Sequence, residues 1–168
     1  MRTETESHPS PAMRTVGRIQ ALAQAGQTGA LSALRRLDPE RPAAPEFYHC
    51  VAACVPELPP EGIPGYAMFV RATARRPDAD PKILLGEALR RTGISETRVR
   101  RLLAARGEQR RRQADLVARR LCQDGLFPAR DLYAFFTTDN DAALDSLRIR
   151  IARSYWSPSN EADGDDTA

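Results

Sequence analysis

Lysine is nearly missing from this chain of 168 residues: Lys82 stands alone, and every other one of the 25 basic residues is arginine. A GC-rich coding sequence accounts for the choice of arginine but not for where the arginines fall. Long apolar runs are missing too. No stretch approaches the roughly 20 apolar residues a membrane span needs. The opening "MRTETESHPSPA" carries acids and prolines where a secretory leader would be apolar. A cytoplasmic protein that does not enter a membrane is expected. The three cysteines, Cys50, Cys54 and Cys122, are odd in number and fit no disulfide framework. With His49, the first two make an incomplete metal set. Buried, reduced thiols are expected, with no metal.

The residues that carry catalysis are equally sparse. Histidine occurs twice, His8 in the tail expected to be disordered and His49 in an aromatic helical stretch, neither a promising place for a catalytic base. Glu57 and Glu61 lie in a proline-rich loop without a base. Gly86 and Gly93 fall inside and at the end of a helical pattern, so they make no phosphate-cradling loop. A non-catalytic protein without a cofactor is expected.

Strand-like alternation is absent as well, and what remains is helical. "TVGRIQALAQA" brings Val16, Ile19, Leu22 and Ala23 to one face, and "GALSALRRL" does the same with Leu31, Leu34 and Leu37. "PEFYHCVAACV" opens with Pro45 and Glu46 in a first helical turn, and "GYAMFVRATARR" follows the breaker-rich loop "PELPPEGIPG". "DPKILLGEALRRTG" reads as a helix closed by Gly93. Ser95 then reads as an N-cap, with Ile94 and Val99 placed as a hydrophobic staple. The segments "PARDLYAFF" and "DAALDSLRIRIARSYW" complete the pattern. The expected fold is all-α, a compact helical protein of about nine helices in two small lobes. Residues 1–12 are expected to be a disordered tail and 13–62 an N-terminal helical lobe. Residues 63–156 form a C-terminal lobe with a basic face, and 157–168 a second disordered tail with four acids and no base.

Charge is distributed unevenly on that framework. From Arg90 to Arg120 there are eleven arginines against Glu96, Glu108 and Asp115, although the whole chain is only +3. Three acids cannot neutralise eleven arginines, and like charge left uncompensated destabilises a fold unless a polyanion meets it. Val99, Leu102 and Leu103 lie on one helix face while Arg98 and Arg101 fall away from it. In the next helix Ala114, Val117 and Leu121 form the apolar stripe, leaving Arg112 and Arg119 outside. Arginine is the side chain best suited to bidentate phosphate contact. A nucleic-acid backbone is therefore the expected partner, read without base specificity because the helix of Arg98 and Arg101 offers almost only arginine, without the Asn, Gln or Ser mix of base readers.

"LGEALRRTGISETRVRRLL" also resembles a helix-turn-helix, with Ala88, Gly93 and Val99 near the positions that motif uses, although Ala88 and Gly93 stand one residue further apart than usual. A helix-turn-helix regulator of duplex DNA is the alternative reading. Over most of its length the chain is similar to another family. From about Gly29 to Tyr155 the order "GALSALRR", "PEFYHCV", "LGEALRRTGISETRVRRLL", "LVARRL" and "RIRIARSYW" resembles the small subunit (CasB family) of the type I-E CRISPR surveillance complex Cascade.

That resemblance implies a non-catalytic antiviral-defence subunit with two helical lobes. It would sit beside a second copy of itself on the crRNA-bearing complex, against the backbone and large subunits, and hold the displaced non-target DNA strand in a basic groove to stabilise the R-loop. The matching basic positions are Arg98, Arg119, Arg120 and the Arg110, Arg111 and Arg112 cluster, joined on the same helix face by Arg101. Arg35 and Arg36 match the first lobe, for DNA contact or for an interface. The loop "EGIPGY" lacks the base that the family often carries there.

Overall fold

The structure is a computed structural model that describes residues 9–157; among these residues there are nine α-helices and no strand. The first, α1 (Pro11–Gln24), begins on Ser10, whose hydroxyl accepts the Met13 N–H at 3.4 Å, with Pro11 pre-set for the first helical position. Ala12 is buried, so the folded part starts inside the segment expected to be a tail, two residues before the expected lobe. The remainder of the two expected tails, 1–8 and 158–168, lies outside the described residues.

Next come three short helices, α2 (Thr28–Arg35), α3 (Pro45–Cys54) and α4 (Ile63–Arg75), the last entered through a single 3-10 turn at Pro60–Gly62. The middle of the fold is α4. Its Tyr66, Phe69 and Val70 are fully buried, and the helix packs against α1 and α2 as well as against the later α7 and α8. Gly65 permits the approach to α8, since a Cβ there would lie 2.1 Å from the Phe136 carbonyl oxygen. The expected division after residue 62 thus separates two groups of helices that share one apolar core, running from Ala12 to Ile151. Within it, Tyr66 packs against Phe47 and Tyr133, and its hydroxyl meets Thr15 Oγ1 at 2.9 Å.

Besides α4, the second group comprises α5 (Leu85–Arg91), α6 (Glu96–Ala104), α7 (Gly107–Gln123), α8 (Ala129–Thr137) and α9 (Asp141–Trp156). The helix expected from Asp80 starts only at Leu85. The Asp80 backbone is committed elsewhere, its N–H donating to the Gly125 carbonyl and its carbonyl accepting from Phe127, both at 2.9 Å. The carboxylate of Asp131 then accepts the Leu85 N–H at 2.8 Å and opens the helix. Gly93, at φ +68, closes α5 as expected, with Ile94 N–H reaching back to the Leu89 carbonyl. Ser95 holds the N-cap position of α6, but its hydroxyl makes no capping hydrogen bond; the staple residues Ile94 and Val99 are both buried.

Candidate nucleic-acid interface

Helices α6 and α7 form a hairpin that turns at Ala105, Arg106 and Gly107, the last at φ +51. Val99 and Leu102 from α6 and Ala114, Val117 and Leu121 from α7 point into the core, as their spacing predicts. A groove of about 330 Å³ lies between the two helices, with Val117 of the buried stripe and residues outside it on its lining. Arg98 and Arg101 form one wall, Gln113 and Arg120 the other, with Ile94 at one end. Leu116 stands among them 58% exposed, far more than an aliphatic side chain with a core to enter. Among the described residues neither Arg98 nor Arg101 has an acid or a hydrogen-bond partner, whereas Arg120 leans on Gln123 at 3.2 Å and Asp124 at 3.4 Å. The groove therefore presents free guanidinium donors beside a patch of hydrocarbon, a combination that suits phosphate oxygens flanked by sugars and bases.

The other arginines of the basic segment are placed differently. Arg91, Arg100 and Arg112 pair with Glu87, Glu96 and Glu108 one helical turn away. Such exposed pairs contribute only about 0.3–0.5 kcal/mol each, so these side chains can exchange a carboxylate for a phosphate. Arg90 donates to the Ser157 carbonyl and Arg106 to those of Leu103 and Ala105. The expectation that three acids leave the segment uncompensated is therefore corrected: Glu87, Asp124 and Asp139 enter from outside it, and Arg98 and Arg101 stay free.

Two expected contact residues serve the fold instead. Arg110 is 3% exposed and reaches Asp139 at 3.3 Å, while Arg111 donates to the Phe136 carbonyl at 3.2 Å. Both tie α7 to the end of α8 and the turn before α9. Burial pushes Arg110 below its ordinary pKa, with Asp139 opposing. Arg110 falls in phase with Ala114, Val117 and Leu121, which is why it is carried inward.

Arg119 belongs to a third arrangement. Asp115 is buried on the α4 side of α7, where its carboxylate is met by Arg75 at 2.9 Å, Arg119 at 2.9 Å and Arg71 at 3.6 Å. Arg119 stays 56% exposed, so its outer edge is open to solvent. Burial lowers the Arg71 pKa, against the pull of Asp115. Arg35 donates to the Ala74 carbonyl at 2.7 Å, at the negative end of α4, and Arg36 folds back on Ser32. Of these two, Arg35 binds α2 to α4, and neither lines the groove.

The groove thus assembles Arg98, Arg101 and Arg120 from the expected set and adds Gln113, Leu116 and Ile94. Leu116 leaves a trace in the sequence, since it is a leucine out of phase with the stripe at 114, 117 and 121. Elsewhere the three cysteines are buried and unpaired, as expected, and burial raises the thiols of Cys50 and Cys122 to about 11. No helix among the described residues is long and apolar enough to cross a membrane, and these residues contain no cluster of three or more potential metal ligands. Comparison with protein-family models, with curated proteins and with solved structures gives no match for this chain.

Proposed function

We propose that the α6–α7 groove holds the sugar-phosphate backbone of a single nucleic-acid strand, and that the protein is a non-catalytic small subunit of a type I-E Cascade complex acting on the displaced non-target strand. The observation that carries the first part is the pair of free guanidiniums, Arg98 and Arg101, facing Arg120 across an exposed leucine. The second part rests on the resemblance of the ordered segments. Opening a duplex against guide RNA is a nearly balanced exchange, so a few sequence-independent contacts to the released strand shift it towards the open state. Arginine on a groove wall supplies them.

The helix-turn-helix reading receives less support. It requires α5 to brace α6, yet α5 packs chiefly along α9 and α6 along α7. It also requires base-reading side chains on α6, whose outer face offers Arg98, Arg100 and Arg101 with Thr97.

The test is the variant Arg98→Ala, Arg101→Ala, Arg120→Ala, assayed with oligothymidine at several salt concentrations and within reconstituted Cascade. Three lost phosphate contacts lower the log-log salt slope by about 2, at roughly 0.7 per contact on a single strand. The Asp124 partner of Arg120 makes its share the smallest of the three. R-loop lifetime is expected to shorten while the variant still co-purifies with the complex, because the buried stripes of α6 and α7 are untouched. An unchanged slope refutes the groove. A variant that leaves the complex assigns these arginines to a protein or crRNA interface, and a preference for one duplex sequence restores the regulator.

A further inference from the structure

A second recess, of about 390 Å³, shares no lining residue with the α6–α7 groove. Its walls come from four segments of the chain: Met13 of α1, the loop 81–84 ahead of α5, Arg130 and Asp131 of α8, and Arg150 of α9. That loop is pinned at both ends. The Pro81 carbonyl accepts the Ala129 N–H at 3.2 Å and the Lys82 N–H donates to the Asp80 carboxylate at 3.0 Å, while the Leu85 N–H donates to Asp131 at 2.8 Å. The recess is therefore formed before any ligand arrives.

Its lining is of two kinds. Lys82, the only lysine, and Arg130 have exposed side chains with no acid or hydrogen-bond partner among the described residues, whereas Arg150 pairs with Asp131. Asp131 is buried and fully used, one carboxylate oxygen on the Leu85 N–H and the other on Arg150, so it does not neutralise the two free cations. The rest of the lining is hydrocarbon, from Met13, Pro81, Ile83 and Leu84. Leu84 stands 46% exposed, while Leu85 beside it is fully buried. The volume falls in the range of small-molecule sites, about 300–1,000 Å³, which combine an apolar lining with a few polar groups.

We propose that this recess binds a small amphiphilic anion, a phosphate or carboxylate head on a hydrocarbon body. Lys82 and Arg130 hold the head, the first as a compact charge and the second as a planar fork. Met13, Ile83 and Leu84 carry the body. A bare anion gains little from exposed cations that must give up hydration to hold it, so the hydrocarbon contact supplies the rest of the affinity. A nucleic-acid strand fits less well, because a strand is met by successive cations along a track. Here the two free cations share one recess with the apolar patch. The proposal does not depend on the reading of the α6–α7 groove.

The experiment titrates the isotope-labelled full chain with octyl phosphate below its micellar concentration, with inorganic phosphate and with octyl glucoside. Octyl phosphate is expected to shift the methyl signals of Met13, Ile83 and Leu84 saturably, and each of the other two probes to bind at least about tenfold more weakly. Lys82→Ala and Arg130→Ala are each expected to weaken octyl phosphate by about three- to tenfold, without disturbing the core signals. Leu84→Ser is expected to weaken octyl phosphate and leave inorganic phosphate unchanged. Octyl glucoside binding as tightly as octyl phosphate, or octyl phosphate binding unchanged in the Lys82→Ala, Arg130→Ala variant, overturns the proposal. So does oligothymidine that shifts the same methyls at lower concentration than octyl phosphate, since the recess is then part of a strand path. Sedimentation with phosphatidylcholine vesicles containing phosphatidic acid separates two sources of the anion. Co-sedimentation that the double variant loses identifies a lipid head group, and octyl phosphate binding without co-sedimentation identifies a free ligand; both uphold the proposal.

Discussion

Replacing Asp115 by alanine is expected to destabilise the protein more than losing any groove arginine, and the structure sets the size. The carboxylate is 9% exposed and meets three guanidiniums, of which Arg71 and Arg75 are 18% and 20% exposed. Removing it leaves those two cations in the α4–α7 joint without a counter-charge and repelling each other. Deleting one partner of a buried pair costs about 3–5 kcal/mol. Arg119, being 56% exposed, adds only a surface-pair contribution of a few tenths. Because the two α4 arginines can turn partly to water, the low end applies, about 3 kcal/mol. For a chain of this size that lowers Tm by roughly 6–12 °C. Thermal melts by circular dichroism, at matched ionic strength, read the effect. The companion variant Asp115→Leu, Arg71→Met, Arg75→Met removes charge and counter-charge together and is expected to regain most of the loss, since apolar replacement of a whole buried cluster is close to neutral. A melt for Asp115→Ala within 2 °C of the parent, or no recovery in the triple variant, would refute the account of this joint.

Glycine substitutions are expected to separate three situations. Gly86→Ala puts a Cβ 2.0 Å from Ser154 Oγ and 2.3 Å from the Ile151 carbonyl, and the overpacking costs about 1–3 kcal/mol. Gly93→Ala meets no atom but keeps φ +68, so it costs about 1 kcal/mol from backbone strain, while Gly17→Ala on the open side of α1 gains about 0.5–1 kcal/mol. Urea titrations of the three variants check the order. Stability is also expected to fall at alkaline pH. Folding raises the Cys50 and Cys122 thiols from 9.0 to about 11, so the unfolded state loses its protons first and is favoured as pH climbs through that window. Tm is expected to be flat from pH 7 to 8.5 and to drop from about 9 to 11, less steeply in Cys50→Ala, Cys122→Ala.

Helices are legible wherever their signals are local. Periodicity places Val16, Ile19, Leu31, Leu34, Val99 and Leu121 in the core, and the Gly93 stop and the Ile94–Val99 staple come from adjacent residues. Errors arise where a distant group decides. "DPKILLGEALRRTG" contains nothing to show that the Asp80 backbone is held by Gly125 and Phe127, or that Asp131 opens α5 from 46 residues away. The start of α1 is missed for a different reason: Ser10 and Pro11 are a sound cap, but they come after a polar, proline-bearing stretch whose composition outweighs them. Gly86 reads in the sequence only as a glycine inside a helix, because the close crossing with α9 exists only in three dimensions.

The basic segment shows how far local rules reach into the site. A helix lets a side chain pair three or four positions away, so each arginine can be sorted by whether an acid stands there. Arg91, Arg100, Arg111, Arg112, Arg119 and Arg120 each have one at four positions, and the structure pairs all of these except Arg111, which turns to Asp139 and the Phe136 carbonyl instead. Arg98, Arg101, Arg106 and Arg110 have none within that reach. Of these, Arg110 is in phase with the apolar stripe and is carried inward to Asp139, and Arg106 sits in the hairpin turn, where carbonyls are free to accept it. Only Arg98 and Arg101 have neither a nearby acid, nor a buried phase, nor a turn beside them. The total charge of the segment overstates the site because total charge does not depend on the order of residues, whereas pairing does. Applied before the charges are summed, the spacing rule and the phase rule together leave the same two guanidiniums that the groove leaves without partners.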